Sequence, residues 1–193
     1  MSENRFKFQD YLSFGYLYLL ILGILRDSIY YGLVGINIMQ HSTIMDVLLS
    51  PIAYLNTNPI LFISVLLFAY WILIQPSLHR NNREKKWYKK LFDAEKRDQY
   101  YLKPGSGPRN LPIAAIMIGS LLLGTGIGAG LKLSDRIEKN SLKRNDKIEF
   151  TDGQKEKVAI IGQNSTYLFY VREDANQVSV TPINGVLKRI ESH

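Results

Sequence analysis

Between residues 111 and 131 the chain carries no charged side chain, and two other stretches are nearly as apolar. A helix rising about 1.5 Å per residue needs about 20 such residues to cross the ~30 Å hydrocarbon core of a bilayer. All three stretches reach that length, so each is expected to be a membrane span. The first, residues 8–27, runs through Tyr11, Leu12, Phe14, Leu19, Leu20 and Leu25 and is closed by Arg26 and Asp27. The second, residues 59–78, opens on Pro59, which suits the first turn of a helix because its missing N–H would have had no partner there. Tyr70 and Trp71 stand toward its far end, as expected of rings at a headgroup boundary. The third, residues 111–132, holds Gly119, Gly124, Gly126, Gly128 and Gly130. So much glycine weakens a helix in water but lets helices approach closely in a membrane, and these five are the expected helix-packing residues.

The sequence-wide mean hydropathy of −0.07 hides this pattern, because apolar blocks alternate with strongly charged ones. Twenty-four Lys and Arg against 17 Asp and Glu give a net charge of +7. Much of the excess lies in the loop 79–110, and short basic loops remain cytoplasmic. With three spans, the N-terminus is then cytoplasmic and the segment 28–55 and the C-terminal region are external, in a bacterial inner (plasma) membrane. The basic stretch Lys132, Arg136, Lys139, Lys143, Arg144 and Lys147 pulls the other way, but the larger excess sits in the middle loop. Arg5 and Lys7 before an apolar run also resemble a signal peptide, yet no small-x-small cleavage site precedes Arg26, so the first span is expected to be retained.

The segment 28–55 reads as an interfacial region, with Ser42 capping a short helix that Pro51 stops. Residues 134–146 read as a linker. From 147 to 191 the period shortens: five β-branched or aromatic runs are separated by the turn signals Asp152-Gly153, Gly162 with Asn164, Asp174 with Asn176, and Asn184-Gly185. The expected architecture is a three-span α-helical membrane domain with an interfacial helix, followed by a small all-β domain, either a simple sheet or an SH3-like barrel.

The chain has no cysteine, which removes disulfides, thiolate nucleophiles and Cys-based metal sites. His41, His79 and His193 are too far apart for the usual short metal-ligand spacings. The glycine run follows an apolar helix and lacks the Lys-Ser/Thr pair of a phosphate loop, so no cofactor is expected. Arg26, Asp27, His41 and Asp46 form a candidate charged interface cluster, and a lipid-modifying enzyme using Asp27, His41 and Asp46 is the weakest of the readings considered. Lys85, Lys86, Trp87, Lys89 and Lys90 belong to a basic-aromatic stretch, 83–97, that suits an amphipathic helix docking lipid or a partner. Such mixtures also bind nucleic acid, but a segment tethered at both ends to a bilayer meets lipid first. Asn164-Ser165-Thr166 is a formal glycosylation sequon that reads here as a turn. The sequence therefore points away from an enzyme and toward a membrane sensor or accessory subunit that partners with lipids and with its own copies or other subunits. An oligomeric ion channel or membrane-disrupting effector is the alternative.

Overall fold

The computed structural model describes residues 8–101, 110–173 and 175–191. Six helices and one 3-10 turn precede a five-stranded sheet: α1 Phe8–Gly32, the turn Ile38–Gln40, α2 Ile44–Thr57, α3 Pro59–Asn82, α4 Lys86–Leu91, α5 Ala94–Tyr101 and α6 Asn110–Glu138, then β1 Asp146–Phe150, β2 Lys155–Gln163, β3 Tyr167–Arg172, β4 Val178–Pro182 and β5 Leu187–Glu191. Among the described residues three helical stretches, Leu12–Gly32, Pro59–Asn82 and Leu111–Glu138, are long and apolar enough to cross a membrane. Only 17–22% of their apolar windows is buried within the chain, so their outward side chains are left for another apolar medium to cover.

Two compact units emerge, residues 1–53 with 122–193 and residues 54–121. This division does not follow the border between the apolar helices and the strands, because the sheet belongs with α1. In the first unit α1 continues through Arg26 and Asp27 to Gly32. Thr43, rather than Ser42, begins α2: its hydroxyl accepts the Asp46 N–H at 3.1 Å while the Asp46 carboxylate accepts the Thr43 N–H at 2.9 Å, a reciprocal cap.

Pro51 does not stop α2 but lies buried inside it. Having no N–H, it leaves the Val47 carbonyl, four residues back, without its usual helical donor. That carbonyl faces α1 at Gly23, where any Cβ would overlap the oxygen. A missing side chain on one helix thus meets a missing donor on the other, and the two helices cross at backbone contact.

Helix α6 runs past Lys132 and through residues 134–138, because Leu133 and the buried Ile137 continue the apolar period. Beyond its last residue, Glu138, the φ of 51° at Asn140 and the Ser141 N–H to Arg136 carbonyl bond at 2.9 Å form a left-handed cap.

The strands pair antiparallel in the order β4-β3-β2-β1-β5. Gly153 and Gly185 supply the positive φ needed at the two tight turns, 91° and 76°. One face of the sheet closes over Ile148, Val158, Leu168 and Tyr170; the other presents Phe169.

In the second unit, the basic-aromatic stretch is two helices rather than one. Asp93 separates them: its carboxylate accepts the Lys96 N–H at 3.2 Å and caps α5, so the chain turns at Phe92.

Candidate functional site

The strongest constellation in the first unit is the docking of the sheet onto the corner between α1 and α2. Phe169 is fully buried against Ile36 and Ile38, with Tyr31, Val34, Ile161, Tyr167, Val178 and Val180 around it. Tyr31 meets Phe169 at 5.0 Å between ring centres, and its hydroxyl end occupies the space a Cβ at Gly162 would need. Gly162 sits at a register shift in β2, so the strand bends where the tyrosine enters.

A polar rim completes the contact. The turn 164–166 is held by the Asn164 side chain, whose Oδ1 accepts the Thr166 and Tyr167 N–H groups at 3.0 and 2.7 Å. Its amide nitrogen donates to the His41 carbonyl at 2.7 Å. The Ser165 N–H and hydroxyl both donate to the Asp46 carboxylate, at 3.1 and 3.0 Å, beside the two donors from Thr43. Partial burial alone would raise the Asp46 pKa, but these four hydrogen bonds outweigh it and hold the carboxyl below its ordinary range.

The sequence-derived cluster therefore divides. His41 and Asp46 engage the β domain, the His41 ring standing edge-on to Tyr167 at 5.0 Å. Arg26 and Asp27 instead pair with each other at 2.8 Å, both more than 90% buried, and Arg26 reaches the Ser50 hydroxyl at 3.5 Å. The glycines of α6 divide as well. At Gly126 a Cβ would stand 3.1 Å from Arg26 Cγ, and at Gly130 2.7 Å from Leu33 Cδ1 and 3.2 Å from the Tyr30 carbonyl, so these two seat α1. Gly124 and Gly128 have nothing within 4 Å. Gly119 is buried within the second unit.

The second unit holds a polar centre that the sequence did not announce. His79, fully buried near the end of α3, lies 3.1 Å from the Tyr88 hydroxyl through Nδ1 and 2.7 Å from Asp98 Oδ1 through Nε2. Arg97 donates to the same hydroxyl at 2.9 Å and to Gln75 Oε1 at 3.0 Å, with its guanidinium 4.1 Å over the Phe92 ring. Arg97 can only donate and a carboxylate can only accept, so with a neutral His79 ring the chain runs in one direction. Arg97 donates to Tyr88, Tyr88 to Nδ1, and Nε2–H to Asp98. Lys85, Lys86, Trp87, Lys89 and Lys90 are exposed around this centre, while Tyr88 is fully buried.

Among the described residues no three His, Asp or Glu side chains converge as metal ligands would. No protein-family model, curated protein or solved structure matches the chain.

Proposed function

We propose that the chain is a non-enzymatic integral membrane protein that serves as a sensor or accessory subunit of a membrane complex. The observation that carries this reading is the burial of Phe169 against Tyr31, Ile36 and Ile38. A β domain hung on a loose linker would dissipate any binding event. One whose second face is packed on the end of α1 passes a load on the sheet to a span and, through Gly126 and Gly130, to α6. The strand order, with β2 bent at its register shift, fits an SH3-like barrel, the fold proposed for the domain.

The proposed topology places the N-terminus and the loop 79–110 in the cytoplasm of a bacterial inner membrane and the β domain outside. Because the chain has no native cysteine, single cysteines test it directly. Gln177→Cys, on an exposed turn, is expected to react in intact cells with a membrane-impermeant thiol reagent, and Lys96→Cys only after lysis. Reaction at neither until lysis would return the β domain to the cytoplasm.

Assembly is proposed to use the open face of α6 at Gly124 and Gly128, with copies of the chain or other subunits as partners. Cross-linking in native membranes followed by mass measurement is expected to give a species heavier than the 22.1 kDa chain, lost in the Gly124→Leu/Gly128→Leu variant. A partner-free monomer would overturn the reading. Ion flux from the purified protein alone in liposomes, abolished by the same variant, would favour the channel reading, which rests on the same open face.

A further inference from the structure

Three residues separate the end of α3 from the start of α4, and the four Cα steps between them reach about 14 Å at full extension. About 20 residues counted from Pro59 exhaust the hydrocarbon core near residue 78, so α4 lies at headgroup level if α3 spans the bilayer. Its rotation about its own axis is fixed by the Tyr88 hydroxyl between His79 and Arg97. With Tyr88 held inward, Trp87 and Leu91, four residues apart and on one side of the helix, remain 50% and 70% exposed. Lys85, Lys86 and Lys90 are exposed and make no ion pair among the described residues, while Lys89 reaches only the exposed Glu84, at 3.4 Å.

We propose that this face of α4 docks on the anionic lipid of the leaflet into which α3 runs, with Trp87 and Leu91 entering the acyl boundary and Lys85, Lys86 and Lys90 reaching lipid phosphates beside them. The proposal rests on the membrane-spanning reading of α3. Two features of the face select this occupant. An exposed Trp and Leu gain from an apolar layer that water does not offer, and three unpaired ammonium groups beside them gain from negative charge that a zwitterionic surface does not offer. An acidic protein would supply the charge, but it must arrive by diffusion, whereas the span itself holds α4 against the leaflet at high effective concentration. The buried His79–Tyr88–Asp98 chain is the positioning element: it keeps the tyrosine inward and so decides which residues face out.

The full chain has two tryptophans, Trp71 and Trp87, so a Trp71→Phe background reports Trp87 alone. In that background the protein is reconstituted into phosphatidylcholine vesicles and into vesicles of phosphatidylcholine with phosphatidylglycerol. Trp87 emission is expected to be blue-shifted and quenched by brominated acyl chains, at least about twofold more strongly with the anionic lipid. Replacing Lys85, Lys86 and Lys90 with Gln, all on the exposed surface, should remove that difference while leaving the far-UV spectrum unchanged. Water-like emission in both vesicles, or an anionic preference that survives the lysine replacements, overturns the docking proposal and turns the search to an acidic protein. Flotation of the vesicles separates the two layers of the argument. Protein that floats without lipid contact at Trp87 defeats the docking alone, whereas protein that does not float defeats the spanning reading and the docking with it.

Discussion

The sheet docked on α1 and the α4 hub are built inside out with respect to each other. At the sheet, the centre is apolar, with Phe169 fully buried, and the polar groups Asp46, Asn164 and Ser165 form a rim open to solvent. At α4, the centre is polar, with His79 and the Tyr88 hydroxyl inside, and the rim is aromatic, with Phe92, Trp87 and Tyr101 around it. An apolar centre derives its strength from area removed from water and tolerates loss of a rim hydrogen bond. A polar centre has no such reserve, since removing one member strands its neighbours without partners. The first arrangement suits a permanent joint. The second suits an orientation that must be specific although the helix it orients is only six residues long.

The contrast predicts where substitutions hurt. Phe169→Ala should be the most damaging, losing about 3–5 kcal/mol by burial and cavity terms. Limited proteolysis after Asn140 should then accelerate strongly, with the helical signal of the long apolar helices retained; an unchanged cleavage rate would mean that the joint is held by its rim. At α4, Tyr88→Phe keeps the ring against Phe92 but strands His79 Nδ1 and one Arg97 donor, at a loss of about 1–3 kcal/mol. Amide exchange should rise in residues 86–91 and not in the sheet. Protection that is equal to wild type would show that aromatic packing alone sets α4.

The sequence displayed the long apolar helices and the strands plainly because their periods are strong: three long apolar runs, and short β-branched runs between Asp-Gly and Asn-Gly turns. The joint was present in the same letters but harder to read. Residues 167–171, Tyr-Leu-Phe-Tyr-Val, do not alternate apolar with polar, and a strand apolar on both sides needs cover on both. Which element supplied that cover was not legible, since Tyr31 and Phe169 are joined only by tertiary structure. Gly23 gave no local sign either, because its reason is the Val47 carbonyl released by Pro51 on another helix. Histidine spacing says only that His79 is far from the other histidines, whereas its partners, Tyr88 and Asp98, lie on two later helices. Charge pattern located the basic stretch but missed the break at Asp93, which is a matter of one cap.

The glycines of α6 refine the contrast between an occupied and an open face on a single helix. Gly130→Ala places a methyl 2.7 Å from Leu33 Cδ1 and 3.2 Å from the Tyr30 carbonyl. The side chain can yield but the backbone oxygen cannot move freely, so a loss of about 1 kcal/mol is expected. Gly124→Ala meets nothing within the chain and should raise the melting temperature of the monomer slightly, through the better helix propensity of alanine. Thermal unfolding in detergent compares the two directly. Equal losses at both positions would mean that the open face is covered by a second chain even in detergent.

The smallest effect belongs to the rim. The Asp46 carboxyl is held below its ordinary pKa, chiefly by donors from Thr43 and Ser165 acting against partial desolvation. A depressed folded-state value means that the carboxylate's contribution is complete above the unfolded value of 3.8 and fades as pH falls through the lower folded value. Asp46→Asn should therefore lose under about 1 kcal/mol at neutral pH, since an amide still accepts one hydrogen bond at each end of the contact. Its stability curve should converge on wild type as the pH falls below 3.8. Unfolding midpoints measured from neutral pH downward test this. A gap that persists at the acid end would assign the effect to geometry rather than charge, and a gap comparable to that of Phe169→Ala would make the rim, and not the phenylalanine, the principal fastening of the sheet to α1.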